Sequence, residues 1–334
     1  MINLYSDTQT RPTAAMREAM ASAEVGDEQS FADPTVNELC ARVAELLGKE
    51  AAVFLPSGTM CNAIGFRLHI GPGGDEVYLH RRSHPIVAEA GGPAALSGAV
   101  LCPLDGERGM FTAEALRDAL RPPDRYLPRS RLVSVEQTTN LSGGHVWPWE
   151  QLSEVVDVAR EAGLRLHMDG ARLMNAVVAS GRSAAAWASG FDTAWVDFSK
   201  GLGAPVGACL AGSRELIDEA WRWKQQWGGA FRQSGIVAAG CIYALDHNVE
   251  RLAEDHDNAR VLAEGLLELG CDVIAPETNI VIFSAPDGFV ERMAERGVQL
   301  SGTPDGRVRA VTHLDVGRDA IDSALLAARD SLLP

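Results

Sequence analysis

Long unbroken apolar runs, paired cysteines and clusters of basic residues are all missing from this 334-residue chain. Uncharged stretches such as 90–104 are interrupted by glycines, Pro93 and Ser97 and are too short to cross a bilayer. The opening residues, Met1 to Asp7, lack the basic and apolar regions of a secretory signal. Six cysteines (Cys40, Cys61, Cys102, Cys209, Cys241, Cys271) are scattered with no C-x-x-C pair, as expected of small buried hydrophobes in a reduced compartment. The 45 acidic residues outnumber 30 Lys and Arg, for a net charge of −15, which opposes binding to nucleic acid or to an anionic membrane surface. A cytoplasmic protein without a membrane partner is expected. Any anion it handles must meet a few local positive groups on a negative background.

What is present is ordinary globular composition, 46% hydrophobic and 22% charged, with more than enough chain to bury a sizeable core. Asp33 and Pro34 read as an N-cap and first helical residue, followed by Val36, Leu39, Cys40, Val43, Leu46 and Leu47 at three- and four-residue steps. Apolar strands are expected at 51–55, 76–79, 100–103, 132–135, 164–168, 193–198 and 208–211, with helical patterns between most of them. That alternation predicts an α/β fold with a mainly parallel sheet sandwiched by helices. After a long helical pattern at 248–269 the texture shifts to shorter strands at 271–275, 279–284, 298–301 and 307–311, with helices near 289–295 and 319–333. The expected units are a large α/β domain over 1–245, amino-terminal arm included, and a small α+β domain over 246–334.

In a parallel α/β sheet, ligands bind beyond the carboxyl ends of the strands, so the residues after each strand carry the argument. Strand 51–55 leads into Ser57-Gly58-Thr59 and a helix, where free N–H groups, a glycine and a hydroxyl can cradle a phosphate. Strand 164–168 leads into Asp169-Gly170-Ala171-Arg172, a carboxylate able to orient a ring nitrogen; the plainer reading is a helix cap. Strand 193–198 leads into Ser199-Lys200-Gly201-Leu202-Gly203, where an amine at a strand end can be desolvated into a nucleophile; a solvated lysine is the plainer reading. Together, in this order, they are the parts needed to hold pyridoxal 5′-phosphate. His84, in Ser83-His84-Pro85, is a candidate for stacking on its ring.

With these segments the sequence resembles the low-specificity L-threonine aldolases, in the β-eliminating-lyase branch of the fold-type I pyridoxal phosphate enzymes. The resemblance runs nearly end to end. It takes in Ser6-Asp7-Thr8-Gln9-Thr10-Arg11-Pro12, Asp33-Pro34-Thr35-Val36-Asn37, Glu89-Ala90-Gly91-Gly92, Arg232-Gln233-Ser234-Gly235 and Val311-Thr312-His313-Leu314-Asp315-Val316 as well. It implies retro-aldol cleavage of an L-β-hydroxy-α-amino acid to glycine and an aldehyde. It implies Lys200 as the Schiff-base lysine, Asp169 on the pyridine nitrogen, His84 on the ring, and Gly58 and Thr59 at the phosphate, with Arg232 reaching it from a neighbouring subunit. Ser6, Arg172 and Arg309 would bind the substrate carboxylate, Arg172 also lying near the cofactor's phenolic oxygen. It further implies a homodimer or homotetramer with the site at a subunit interface and, in many relatives, a structural cation whose ligands the sequence leaves unknown.

Two segments depart from the family pattern. Where relatives carry Thr-His-Asn, this chain has Thr138-Thr139-Asn140, and a threonine hydroxyl can bond a hydroxyl but cannot act as a base near neutrality. His145, a few residues on, is the candidate to compensate. Where relatives carry Tyr-Gly-Asp-Asp, this chain has Ser30-Phe31-Ala32-Asp33. Both changes bear on the β-substituent of the substrate. The competing readings are another reaction on the same cofactor (β-elimination, transaldol transfer or transamination) and a catalytically silent scaffold. A nicotinamide dehydrogenase is opposed by the glycine spacing, because Gly201, Gly203 and Gly207 follow the lysine.

Overall fold

The structure, a computed structural model, describes residues 1–332. Its strands are β1 (Ile2–Asn3), β2 (Ala51–Leu55), β3 (Glu76–His80), β4 (Val100–Leu104), β5 (Ser130–Glu136), β6 (Arg165–Asp169), β7 (Thr193–Asp197), β8 (Ala208–Gly212), β9 (Val273–Ile274), β10 (Ile280–Phe283), β11 (Val298–Gln299), β12 (Ser301–Gly302) and β13 (Val308–Val311). The α-helices in the first half are α1 (Ala14–Ala21), α2 (Pro34–Leu46), α3 (Gly58–His69), α4 (His84–Val87), α5 (Gly92–Ser97), α6 (Ala113–Ala119) and α7 (Trp149–Glu161). Those in the second half are α8 (Leu173–Ser180), α9 (Ala184–Ala188), α10 (Arg214–Gln226), α11 (Gly235–His247), α12 (Leu252–Glu268), α13 (Phe289–Glu295) and α14 (Arg318–Leu332).

Seven strands form the main sheet in the order β2-β8-β7-β6-β5-β3-β4. Only β8 runs against its neighbours β2 and β7; the others are parallel, so six carboxyl ends share one edge. The strands β3, β7 and β8 are buried along their whole length, which accounts for the apolar runs at their centres. Helix α2 begins as its sequence dictates: the Asp33 side chain accepts from Val36 N–H, and Pro34 occupies the first turn.

Two expectations are corrected in detail, and the amino-terminal arm makes a contact that the sequence pattern does not reveal. The long helix expected at 248–269 starts only at Leu252, because α11 ends at His247 and Asn248 turns its side chain to the Leu202 carbonyl, 2.7 Å away. The strand expected at 298–301 is two separate pieces, β11 pairing with β1 and β12 with β13, with buried Leu300 between them. The amino-terminal arm, grouped by sequence with the large domain, pairs through β1 with β11, and Leu4 packs in the small carboxyl-terminal core beside Val298, Phe283 and Ile321. The last residue of the helix expected at 319–333 lies outside the described residues. No described helix is long and apolar enough to cross a membrane.

Candidate active site

Three neighbouring parallel strands each end in a buried carboxyl group: β5 in Glu136, β6 in Asp169 and β7 in Asp197. Asp169 is fixed from two sides, its Oδ2 accepting from Asn62 Nδ2 at 2.7 Å and its Oδ1 from Ala171 N–H at 3.0 Å. Asn62 projects from α3 and is itself held by Trp195 Nε1, 2.8 Å from its Oδ1, and by His167 Nε2 at 3.1 Å. The orientation of Asp169 is therefore built into the core and is not left to a loop.

Lys200 follows β7, and its ammonium lies 2.8 Å from Asp197 Oδ2, with the side chain 19% exposed. Asp197 is kept in place by Ser199, whose N–H and hydroxyl both donate to Oδ1. His84 opens α4 and lies with Nδ1 2.8 Å from Glu89 Oε1, an oxygen that also accepts from Asn62. That hydrogen bond raises the imidazole's pKa against the effect of its burial, with Asp169 adding to the rise. One Asn62 amide group thus bridges the carboxylate of the ring-nitrogen candidate and the carboxylate behind the stacking candidate.

Gly58 and Thr59 stand in the first turn of α3, capped by Ser57, whose hydroxyl accepts from Met60 N–H at 3.2 Å. A Cβ on Gly58 would lie 2.3 Å from Trp195 Cη2, so only glycine fits where the helix start meets β7. Arg232 sits between α10 and α11. Its guanidinium reaches Asp27 at 2.9 Å and stays 64% exposed. Its loop is anchored to the 27–33 loop by buried Glu28, which accepts from Phe231 N–H at 2.5 Å, from the Ser234 hydroxyl at 2.8 Å and from the fully buried Lys224 ammonium at 2.8 Å. In that same loop Phe31 takes a left-handed φ of 57°, where the family pattern has glycine, and lies 63% exposed with its edge against Trp221.

Ser6, Arg172 and Arg309 come together, though with unequal freedom. Arg172 forms two bonds to Asp7, 2.8 and 2.5 Å, and reaches Asn140 Oδ1 at 3.3 Å. Burial pushes the Asp7 carboxyl up, but Arg172 overrides it and holds the group well below the ordinary carboxylate range. Arg309 donates to the same Asn140 oxygen at 2.9 Å and to the Tyr5 carbonyl at 3.3 Å, while its buried Nε has no partner. Burial, then repulsion from Arg172, lowers its pKa to about 10. The one carboxylate beside the two guanidinium groups bonds Arg172 only, so Arg309 is the one with capacity for an incoming anion. The Ser6 hydroxyl adjoins Asp7 and caps the short turn after it, accepting from Thr8.

Thr139 and His145 do not join this cluster through any of their hydrogen bonds. They pair with each other as an isolated antiparallel bridge, and the Thr139 hydroxyl accepts from His145 N–H. The His145 ring is 1% exposed and turns to Arg108, 2.6 Å from Nδ1, and to Glu277 in the loop before β10, with Nε2 unpartnered. Sequence reasoning missed Glu136, Asn62 and Glu89 as functional residues. Glu136 lay one residue beyond its expected strand, and Asn62 lay inside a helical apolar pattern. Among the described residues, no three or more His, Cys, Asp or Glu side chains are arranged to hold a metal ion.

These parts fit pyridoxal phosphate on structural grounds: a glycine cradle at a helix start, a fixed carboxylate at a strand end, and a lysine on the adjacent strand's end. The model of the beta-eliminating lyase family matches residues 3–286. This chain belongs to that family. Its relatives include the low specificity L-threonine aldolase of Escherichia coli (strain K12), 44% identical over 326 residues and 96% of each chain. The low-specificity L-threonine aldolase 1 of Arabidopsis thaliana is 36% identical over 345 residues, 99% of this chain and 96% of the relative. Among solved structures, a Leishmania major threonine aldolase superposes with a TM-score of 0.87 at 19% identity, covering 99% of this chain and 100% of that one. A putative L-allo-threonine aldolase from Listeria monocytogenes gives 0.82 at 24%, covering 99% and 96%. Both share the fold-type I architecture expected from the sequence of this family member.

Proposed function

We propose that this chain, carrying pyridoxal 5′-phosphate, cleaves L-threonine, L-allo-threonine or a related L-β-hydroxy-α-amino acid to glycine and an aldehyde. The observation that carries the reading is the buried Arg309, a cation with an orphaned Nε and no carboxylate partner among the described residues, on a site whose other cations are paired. An α-carboxylate would supply the missing charge.

Bound here, the cofactor supplies an electron sink for the pair released when a bond at Cα breaks. Lys200 is its attachment point, and Asp169 holds the proton on its ring nitrogen. Gly58 and Thr59 offer N–H groups and a hydroxyl to its phosphate, with Arg232 arriving from a partner subunit of a homo-oligomer. The exposure of Arg232 supports that last role. His84 stacks on the ring, and its Nε2, the nitrogen not bonded to Glu89, takes the β-hydroxyl proton as the Cα–Cβ bond breaks and the aldehyde departs. Arg309, with Ser6, orients the carboxylate so that the breaking bond faces His84. The six cysteines are all unpaired, which supports a reducing, cytoplasmic setting.

The deciding experiment incubates the loaded protein with L-threonine and L-allo-threonine and measures glycine and acetaldehyde. Equal release of the two products supports the reading, and absence of both from a panel of β-hydroxy amino acids overturns it. Lys200→Ala is expected to abolish covalent, borohydride-fixable cofactor attachment.

A further inference from the structure

Glu136 closes β5 beside Asp169, its register partner on β6, so both side chains face the same side of the sheet. It is buried, and its Oε2 accepts one long bond from Asn140 N–H at 3.3 Å; among the described residues no other donor bonds its carboxyl. Asp169, by contrast, has two donors in Asn62 and Ala171. Glu89 has two as well, Asn62 and His84, although its Oε2 is buried without a partner.

Glu89 bonds the His84 imidazole, Asn62 ties Glu89 to Asp169, and Glu136 stands in register with Asp169, so the charges of all three carboxyls act on this one ring. Two further cations face them: Arg172 after β6, already neutralised by Asp7 of the amino-terminal arm, and Arg309, which shares Asn140 with Glu136 and feels its charge. Crowded carboxylates in a poorly solvated site cannot all ionise near neutral pH, and the one with the fewest donors keeps the proton. Glu136 is that group: burial, then the charge of Asp169, pushes its pKa up to about 7, and the charges of His84 and Arg172 and the Asn140 N–H act in the opposite sense. The imidazole's own pKa is raised, by the Glu89 hydrogen bond first and by the charge of this same carboxyl among others.

We propose that Glu136 and His84 share a single proton near neutrality, and that Glu136 thereby sets the base strength His84 brings to the β-hydroxyl. With the proton on Glu136, His84 is neutral and can accept at Nε2; with it on His84, Glu136 is an anion and the imidazolium is no base. Glu136 is a positioning residue that acts through His84. The inference rests on the reading of His84 as the base. It also accounts for how the site keeps a titrating pair although Thr139 cannot titrate and His145 is turned to Arg108 and Glu277.

The test follows the His84 ring by NMR in the cofactor-free protein and the acid limb of kcat/KM in the loaded enzyme, in wild type and Glu136→Gln. Both are expected to move to lower pH by about half to one unit, with Glu136→Asp in between. An unchanged His84 titration in the folded variant overturns the proposal. Should the loaded wild type release no aldehyde from any substrate, the proposed function fails, yet the NMR shift still decides the pairing. If Glu136→Gln does not fold, His84→Asn probes the pair from its half-exposed side. The infrared band of a protonated carboxyl should then persist to higher pH than in wild type, and an identical band profile overturns the proposal.

Discussion

Asn62 makes four hydrogen bonds with one amide: its nitrogen serves Asp169 and Glu89, and its oxygen receives Trp195 and His167. Truncation to alanine would strand three buried polar atoms at once (Asp169 Oδ2, Trp195 Nε1 and His167 Nε2), while Glu89 Oε1 keeps His84, and each unmade bond of this kind costs about 1–3 kcal/mol, partly recovered by relaxation. Asn62→Ala is therefore expected to lose on the order of 3 kcal/mol of stability in urea unfolding and to weaken cofactor binding, because Asp169 is no longer aimed. His145 is the contrasting residue. Its ring bonds Arg108 and lies 3.5 Å from Glu277, and these partners remain paired with each other when it is gone. His145→Ala should cost about 1–2 kcal/mol of stability and change kcat for threonine by less than the ~10²-fold expected for loss of a general base. A kcat loss of that larger size would make His145 the replacement for the histidine absent at Thr139.

At the scale of elements, the start of α3 is fixed by contact with β7. Gly58→Ala would drive a methyl into the Trp195 indole, which must shift or tilt the first helical turn. Overpacking of this kind costs about 1–3 kcal/mol, and cofactor affinity should fall along with the melting temperature. Gly92→Ala is the control: its Cβ would find its nearest neighbour at 4.0 Å, so both measurements should match wild type. The same elements show what the sequence made legible. Apolar runs at 51–55, 76–79, 193–198 and 208–211 identified their strands to within a residue or so, because strands buried on both faces leave no room for polar interruption. Position alone singled out two site candidates in the same way, Lys200 after the strand expected at 193–198 and Asp169 after the one expected at 164–168. Glu136, Asn62 and Glu89 were not legible, because their part in the site comes from which strands and helices become neighbours, and no local pattern encodes the β5–β6 pairing or the packing of α3 on β7. The capture of the amino-terminal arm by β11 was hidden likewise, a contact between residues almost 300 positions apart.

Across the whole molecule, the net charge of −15 lies over an interior that gathers several positive groups at the site and disfavours the charged form of three histidines, His69, His167 and His256. Arg172 and Arg309 are buried and Lys200 nearly so. Burial lowers the pKa of His69 and His256 to about 4 and that of His167 to about 3. For each of these the folded value lies below the unfolded one of about 6.5, so the unfolded chain binds more protons in between, and stability present above about pH 6.5 is lost as the pH falls. Glu136 and Asp255, raised by burial to about 7 and about 6, work in the other direction, taking up their protons at a higher pH in the folded chain. Three histidines outweigh these two carboxyls, and the protein should weaken on mild acidification, before its ordinary carboxylates titrate. His256 offers the cleanest test. It lies on α12, which packs on α8 at the seam between the two halves, and its Nε2 accepts from Asn175 Nδ2 at 3.1 Å. A glutamine oxygen can receive that same bond without ever taking a proton. His256→Gln is expected to flatten the fall of unfolding free energy between about pH 6 and 4.5 by about one proton, ~1.4 kcal/mol per pH unit, in urea titrations at a series of pH values. A slope identical to that of wild type would mean that His256 is already charged in the folded state, and that the α8–α12 seam is wet enough to hold the charge.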